Sequence, residues 1–315
     1  MLRKKRSISS REAAYKVLFS VESRDSYADI LLNEEMKRVA DIDKPLTTEL
    51  VYGVLRWEIK IDWIINVFSS QKTADLEHSV LTALRLGTYQ LLFLKGILAR
   101  AAIFETVELL KREKKKAGYV NAVLRAIDRG RNAITFPILK REPEKYISIM
   151  FSHPRWLITR WIKSYGLKDT LAICQANLNV PPTKLRVNTL KVGLSELTAK
   201  LNSDGFTVSK CAFSKDCLVI EESDGKRVDP GSSLYYIQDE ASQLVSLLLD
   251  PKEGEVVLDL CAAPGGKTME LAALGARVTA VDRSEKRLVR VTENLKRTGL
   301  NAQTVAADAA TWRPE

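Results

Sequence analysis

The segment Val256-Val-Leu-Asp-Leu-Cys-Ala-Ala-Pro-Gly-Gly-Lys-Thr268 decides the fold of the C-terminal part of the chain. Its first five residues are mostly apolar, as in a strand that is buried on both faces of a parallel sheet. A helical pattern begins at Thr268, two residues after the second of two adjacent glycines. Strand, glycine turn and helix in this order are typical of nucleotide-type α/β domains, because the turn and the helix N-terminus let a ligand approach the backbone.

The residues that follow repeat the alternation of strand and helix. A second strand is predicted over Arg277–Val281 and a third over Thr304–Ala307. Between them, Ser284 caps a helix that ends at Gly299. We therefore expect residues 241–315 to form the first part of a Rossmann-like, doubly wound sheet.

The N-terminal part of the chain is predicted to be an all-α bundle over residues 1–138. Ser9-x-x-Glu12 has the pattern of a capping box, and apolar residues follow it at helical spacing. Trp57, Trp63 and Tyr89 are expected to pack in the core rather than stack on bases. Further helical patterns cover residues 47–68, 75–94, 101–111 and 119–127.

A small α+β domain is predicted between these two parts, over residues 139–240, where several prolines punctuate the chain. Cys211 and Cys217 are expected to be packing or surface thiols rather than a redox pair. Helical patterns cover residues 156–165, 171–176 and 195–201, and strand patterns cover residues 184–188, 206–208 and 217–220.

The positive charge is concentrated in the first half of the chain. Of 49 Lys and Arg and 39 Asp and Glu in all, residues 1–150 hold 27 and 19, so they carry +8 of the formal net charge of +10. Basic clusters are typical of proteins that bind a polyanion, although they are also found on solvated surfaces. The candidate RNA-binding residues are Arg3, Lys4, Lys5, Arg6, Lys114, Lys115 and Lys116.

Composition excludes several classes of protein. With 45% hydrophobic residues the chain is not of a disordered type, and its four cysteines are too few for a disulfide scaffold. The cysteines lack metal-ligand spacing and there are only two histidines, so no metal site is expected. No membrane-spanning segment or signal peptide is recognisable. We expect a cytoplasmic monomer.

The glycine turn matches neither of two common phosphate-binding motifs. A P-loop would need a glycine at position 261, where this chain has Cys261, so a P-loop ATPase is disfavoured. The Gly-x-Gly-x-x-Gly motif of dinucleotide-binding folds is missing as well. S-adenosylmethionine is the remaining candidate, because Asp282 and Asp308 end the next two strands and suit the ribose hydroxyls and the adenine amine. Asp259 is expected to hold the loop itself, and strand-end aspartates can also merely cap helices.

The segment that includes the glycine turn resembles the first motif of the RNA cytosine-5 methyltransferases of the Sun class. Further segments along the whole chain resemble the bacterial RsmB (Sun, Fmu) subgroup, whose substrate is 16S ribosomal RNA. These segments are Leu50-Val-Tyr-Gly-Val-Leu-Arg-Trp57, Leu86-Gly-Thr-Tyr-Gln-Leu-Leu92, Val120-Asn-Ala-Val-Leu-Arg125, Ser152-His-Pro-Arg-Trp-Leu157, Leu185-Arg-Val-Asn-Thr-Leu190 and Gln238-Asp-Glu-Ala-Ser242.

The resemblance implies a fold and a set of ligands. It implies an N-terminal bundle similar to the antitermination factor NusB, a class I methyltransferase domain, S-adenosylmethionine as cofactor and 16S ribosomal RNA as partner. The alternative is a non-catalytic, NusB-like RNA-binding factor. The residues that the resemblance places on the methyl donor are Cys261, Ala262, Ala263, Pro264, Gly265, Gly266, Lys267, Asp282 and Asp308.

The resemblance also implies a mechanism that uses two cysteines. One thiolate adds to C6 of the unstacked cytosine, and the family places its cysteines after Pro in one motif and after Thr in another. None of the four cysteines here follows Pro or Thr, and Cys261 is expected to pack within the donor loop. We therefore expect a natural protein longer by on the order of a hundred residues, with its nucleophile beyond this chain's end, and no catalytic residue within these 315 residues.

Overall fold

Helices fill the first of two structural units, and two sheets organise the second. The computed structural model describes residues 7–24, 26–223 and 225–313. The units are Met1–Asn179 and Val180–Glu315. The helices of the first unit are α1 (Ser10–Arg24), α2 (Ala28–Met36), α3 (Lys44–Arg56), α4 (Glu58–Phe68), α5 (His78–Leu92), α6 (Ala99–Glu108), α7 (Lys114–Gly130), α8 (Pro143–Met150) and α9 (Arg155–Asn177).

Helix α5 runs through the middle of the first unit. From Val80 to Leu91 every side chain is buried, because α1, α3, α4, α6 and α7 pack around it. A helix that is buried all round must be mostly apolar, and α5 is. Gly87 allows α7 to approach α5, since a Cβ at this position would overlap the Leu124 side chain.

The predicted all-α bundle is confirmed, but one predicted helix is in fact two helices. The backbone N–H of Glu12 donates to Ser9 Oγ at 3.2 Å, as the capping box requires. The predicted helix over residues 47–68 is wrong as a single element, because the backbone leaves the helical conformation at Trp57 and forms α3 and α4. The Trp57 ring packs on Phe93 with ring centroids 5.0 Å apart. The break could not be predicted, because the apolar residues on both sides of Trp57 follow helical spacing. Helix α2 was not predicted.

The second unit contains every strand in the described part of the chain. Its first sheet has the order β2-β3-β1-β4 with antiparallel pairs, and its second has the order β5-β6-β7 with parallel pairs. The elements are β1 (Lys184–Val187), α10 (Leu194–Ser203), β2 (Phe206–Lys210), β3 (Cys217–Ser223), β4 (Tyr235–Ile237), α11 (Glu240–Leu249), β5 (Val256–Asp259), α12 (Gly266–Ala273), β6 (Arg277–Asp282), α13 (Glu285–Thr298) and β7 (Gln303–Ala306).

The antiparallel sheet covers α10, and its core is apolar. Leu185 of β1, Leu197 of α10 and Leu218 of β3 are fully buried together. Cys211 and Cys217 form a disulfide, which corrects the expectation of separate packing or surface thiols. The hairpin of β2 and β3 brings their Cα atoms to 5.2 Å, and this pairing is not visible in the spacing of the cysteines.

The parallel sheet is the predicted opening of a doubly wound fold. Helices α12 and α13 connect successive parallel strands, as such a fold requires. The helices and both sheets confirm the predicted fold class, α followed by α/β. Helices α8 and α9 lie in the first unit, and the boundaries at residues 138/139 and 240/241 stay a prediction. In the ranges that the structure describes, no helix combines the length and apolar character needed to cross a membrane.

Candidate functional site

The carboxyl ends of the three parallel strands lie at one edge of the sheet. Asp259 is the last residue of β5 and Asp282 is the last residue of β6. Asp308 follows β7 by two residues, and the Ala307 N–H donates to the carbonyl of Asp282 at 3.2 Å. Parallel strands place their carboxyl ends together, so the three predicted acids share this edge.

The glycine turn between β5 and α12 has a backbone that depends on glycine. Gly265 precedes α12 with φ 105°, a left-handed conformation that strains any residue with a Cβ. Its space is also limited, because a Cβ would lie 3.3 Å from Val291 Cγ1 of α13. Helix α12 begins at Gly266, and the unpaired N–H groups of its first turn face the same edge of the sheet.

A cavity of about 240 Å³ lies at this turn. Most of the residues predicted to contact the methyl donor line this cavity, while Gly265, Asp282 and Asp308 do not. Cys261 is exposed to this cavity rather than packed within the loop, which differs from the expectation. The lining residues are Tyr236, Ile237, Gln238, Asp239, Ser242, Asp259, Cys261, Ala262, Ala263, Pro264, Gly266 and Lys267.

Two of the acids hold the loop directly. Asp259 accepts a hydrogen bond from the Thr268 hydroxyl at 2.7 Å, which agrees with its expected role. Asp282 is 5% exposed, and its carboxylate accepts from the N–H of Ala263 at 3.3 Å and of Ser284 at 3.0 Å. In this structure Asp282 therefore fixes the loop from behind the cavity, and a role toward the ribose stays a prediction.

Asp308 is exposed and belongs to a turn after β7. Its carboxylate accepts from the N–H of Ala310 at 2.9 Å. Its main-chain carbonyl accepts from the N–H groups of Thr311 and Trp312. This is the capping role that short acidic side chains often have at strand ends, and the predicted contact with adenine stays a prediction.

Arg186 of β1 supports the loop from the antiparallel sheet, and sequence reasoning did not single it out. One guanidinium nitrogen donates to the Gly266 carbonyl at 2.7 Å and to Gln238 Oε1 at 2.8 Å. The same group lies 3.1 Å from the Glu270 carboxylate of α12. Burial lowers the pKa of Arg186 and raises that of Glu270, while each partner opposes the shift of the other. Arg186 and Glu270 are thus buried as a charged pair, and their contacts hold the N-terminal end of α12.

Tyr236 joins Arg186 to a second arginine. The guanidinium groups of Arg186 and Arg297 lie over its ring, at 5.7 and 5.6 Å from the ring centroid. Burial raises the pKa of Tyr236, against the effect of both cations. Asn188, the residue that follows β1, adds hydrogen bonds to the carbonyls of Ser233 and Thr298, both at 2.9 Å. The antiparallel sheet therefore braces both α12 and α13.

None of the four cysteines combines accessibility with the sequence context of the family's nucleophile. Cys174 is fully buried, and burial raises the pKa of its thiol. Cys211 and Cys217 are bonded to each other. Cys261 is exposed but follows Leu260 in the donor loop.

The predicted basic residues of the helical unit fall into different environments. Lys114 and Lys115 are exposed at the start of α7. Lys116 pairs with Glu77 at 2.6 Å and with Glu113, and these contacts raise its pKa. Arg3, Lys4, Lys5 and Arg6 lie outside the described residues.

Comparison with known proteins identifies the three parts in chain order. Residues 8–129 match the NusB family, and residues 153–225 match the ferredoxin-like domain of RsmF/B-like methyltransferases. Residues 246–313, which contain the loop and its sheet, match the model of 16S rRNA methyltransferase RsmB/F.

A relative in Bacillus subtilis (strain 168), named probable ribosomal RNA small subunit methyltransferase B, is 34% identical over 96% of this chain and 69% of its own length. The chain belongs to the RsmB/F methyltransferase family. The ribosomal RNA small subunit methyltransferase B of Pseudomonas syringae pv. tomato is 37% identical over 95% of this RsmB/F chain and 67% of its own length. The crystal structure of PH0851 shares the fold, with a TM-score of 0.76 and 24% identity over 98% of this chain and 71% of that one.

Proposed function

We propose that this chain binds S-adenosylmethionine at the loop Cys261–Lys267 and serves the methylation of C5 of a cytosine in 16S ribosomal RNA. Support comes from the RsmB/F family, whose members are ribosomal RNA methyltransferases, and from the names of the relatives. The observation that carries the proposal is the cavity at the glycine turn, which is lined by the loop backbone at the carboxyl edge of a parallel sheet. Such a protein would act in the cytoplasm, where bacterial ribosomes are assembled.

The residues around the cavity suit the charges of this donor. S-adenosylmethionine carries a carboxylate, an ammonium and a sulfonium. The Lys267 side chain and the first N–H groups of α12 offer positive ends to its carboxylate, and the carboxylates of Asp239 and Asp259 offer negative ends to its cations. The bound S-adenosylmethionine would supply a methyl group from its sulfonium sulfur. The demethylated product would then leave as a neutral thioether.

The chain's own residues would place the donor rather than react with it. Asp282 holds the N–H of Ala263, Asp259 holds Thr268, and Arg186 holds the Gly266 carbonyl. These contacts fix the loop before the donor arrives, which lowers the entropy cost of binding. Asp282 and Asp308 remain the proposed contacts of the ribose and the adenine.

Calorimetry with S-adenosylhomocysteine tests the donor site. We expect one site in the wild-type chain, a clear loss of affinity for Lys267→Ala, and a larger loss for Asp282→Asn because the loop also loses its anchor. Lys286→Ala removes an exposed lysine of α13 and is the matched control. Equal affinity of wild type, Lys267→Ala and Asp282→Asn would contradict the site.

The cysteine adduct on C6 of cytosine is part of the same proposal. The family's nucleophiles follow Pro or Thr, whereas Ile173, Lys210, Asp216 and Leu260 precede the cysteines here. We therefore expect these 315 residues to transfer no methyl group to 16S ribosomal RNA, even where they bind the donor. Turnover measured with a radiolabelled methyl donor would contradict this assignment, and its loss in Cys261→Ala would identify the thiol responsible.

A further inference from the structure

A groove on the helical unit lies between α6 and α7, and Lys114, Lys115 and Lys116 do not line it. Its volume is about 630 Å³, within the range of about 300–1,000 Å³ that is usual for small-ligand sites. The lining residues are Arg100, Ile103, Phe104, Val107, Asn121, Arg125, Asp128 and Arg129.

The arginines of this groove are largely free to bind a ligand. Within the described part of the chain, Arg100 and Arg129 make no ion pair and no side-chain hydrogen bond. Arg125 uses one donor on Asn121 Oδ1, at 3.0 Å, and keeps its other N–H groups free. In contrast, Arg85 of the same unit pairs with three carboxylates. Three guanidinium groups without an ion pair around one groove favour an anionic ligand.

An exposed aromatic ring completes the groove. Phe104 is 62% exposed and stands one helical turn after Arg100 on α6. The Phe93 ring of the same unit instead packs against the rings of both Trp57 and Tyr89. An exposed ring beside unpaired arginines is the combination with which proteins bind single-stranded nucleic acid, since bases stack on the ring while guanidinium groups contact phosphates.

The carboxylate of Asp128 adds an unsatisfied hydrogen-bond acceptor. Its Oδ1 is buried in the groove wall with no hydrogen-bond donor, and its nearest cation is Arg131 at 3.9 Å. The Asp128 side chain as a whole is 30% exposed and lines the groove, and a carboxylate there favours a ligand that brings a hydrogen-bond donor, such as the amino group of a base. Asp128 would repel a ligand made of phosphate groups alone, whereas a nucleotide also brings amino groups that can donate to a carboxylate.

We propose that the groove between α6 and α7 binds an unpaired segment of RNA, with a base stacked on Phe104 and phosphates on Arg100, Arg125 and Arg129. This inference rests on the proposed function, because it supplies the helical unit with a contact to the ribosomal RNA substrate. The bases of a duplex are already stacked on their neighbours, so the groove should select unpaired nucleotides.

Fluorescence anisotropy with a labelled, unstructured RNA oligonucleotide tests the base contact. Phe104→Ala should weaken binding about 10-fold, as expected for the loss of one stacked base. Phe104→Leu should recover little of that affinity, because leucine keeps apolar volume but has no aromatic face. A duplex RNA of the same length should bind more weakly than the single strand and should be insensitive to both changes.

The salt dependence of the same binding tests the phosphate contacts. Replacing Arg100, Arg125 and Arg129 together by Gln should lower the slope of log K against log salt by about 2, at roughly 0.7 for each phosphate on a single strand. Lys72, Lys140 and Lys168 are exposed residues of the same unit, and their joint replacement by Gln is the control of equal charge. This control should leave the slope within about half a unit of wild type.

The outcomes separate the groove from the proposed function. Equal effects of the arginine and lysine triple variants would mean that net charge alone attracts RNA, and would overturn the groove. Wild-type affinity in both Phe104 variants would also overturn it and would leave an acidic protein surface as the ligand to test. RNA binding by the wild type with unaffected variants leaves the proposed function intact. No RNA binding by the wild type contradicts both.

Discussion

The donor loop and the α6–α7 groove use arginine in opposite ways. At the loop, buried Arg186 gives its hydrogen bonds to Gly266, Gln238 and Glu270. At the groove, Arg100 and Arg129 have no partner among the described residues. The conformation of the loop is therefore fixed before a ligand binds, whereas the arginine charges of the groove remain available to bind a ligand. Substitutions at the loop should cost both stability and affinity, and substitutions at the groove should cost affinity alone.

Arg186→Ala should have the largest effect on stability. It leaves the buried Glu270 carboxylate without its cation and the Gly266 carbonyl without its donor, and breaking a buried pair in this way costs about 3–5 kcal/mol. Urea unfolding should show this loss, and calorimetry should show weaker binding of S-adenosylhomocysteine. Arg277→Ala, which removes an exposed arginine bonded to the Gly254 carbonyl, should change stability far less.

A double variant separates stability from positioning at the same site. Arg186→Met with Glu270→Met removes both buried charges, so much of the lost stability should return. The affinity for S-adenosylhomocysteine should stay low, because the Gly266 carbonyl still lacks its hydrogen-bond donor. Recovery of affinity together with stability would show that Arg186 supports the fold of the unit and does not position the loop.

Gly265→Ala should be the next largest change. The left-handed backbone at φ 105° and the contact with Val291 together predict a cost of about 1–3 kcal/mol and a loss of donor affinity. Gly254 also has a positive φ, of 77°, but has open space around it and lies outside the loop. Gly254→Ala should lose some stability in urea unfolding and keep wild-type affinity in calorimetry. Loss of affinity in both variants would contradict a specific role of the turn.

The sequence predicted the loop because its signals are local. An apolar strand, two glycines and a helical pattern are adjacent in the chain, so their pattern predicts the turn and the edge of the sheet. Arg186 could not be found in this way, because its contact with Gly266 spans 80 residues and depends on how β1 lies against α12. The order of the four-stranded sheet was unpredictable for the same reason.

The groove was missed because isolated charges on a helix look like a solvated face. The run Lys114–Lys116 draws attention instead, although Lys116 is already paired with two glutamates. Arg100 and Arg125 come from different helices, and only tertiary packing shows that they share a groove. Exposure and lack of a partner are properties of the folded chain, not of its composition.

Gly87→Ala tests whether the close packing of α5 against α7, the helix that carries two of the groove arginines, contributes to stability as the contacts of the loop do. A methyl group here overlaps Leu124 of α7, the helix that carries Arg125 and Arg129, and overpacking of this kind costs about 1–3 kcal/mol. Gly118 lies on α7 with open space around it, so Gly118→Ala should instead raise stability by about 0.5–1 kcal/mol. Thermal unfolding measures both. A Gly87→Ala protein as stable as Gly118→Ala would mean that α5 and α7 are not closely packed.

Glu240 gives the second unit a stability that depends on pH. The N–H groups of Phe213 and Ser214, and then Lys184, lower the pKa of this carboxyl. Its stabilisation is therefore complete above its unfolded-state pKa of about 4.3 and is lost as pH falls through the lower folded-state value. Glu240→Gln should cost about 1–2 kcal/mol near neutral pH in urea unfolding. The difference from wild type should shrink in acid, and a constant difference would contradict this origin.

The smallest effect should come from the groove arginines, and it completes the comparison. Arg100→Gln and Arg129→Gln remove no hydrogen bond or ion pair of the described structure, so each should change the free energy of unfolding by less than about 0.5 kcal/mol. Neutralising one of several neighbouring like charges can even stabilise the unit slightly. Urea unfolding at low and high salt measures this, because a repulsive contribution disappears when it is screened. A loss as large as that of Arg186→Ala would mean that these side chains are structural, and the groove would then not be a surface held free for RNA.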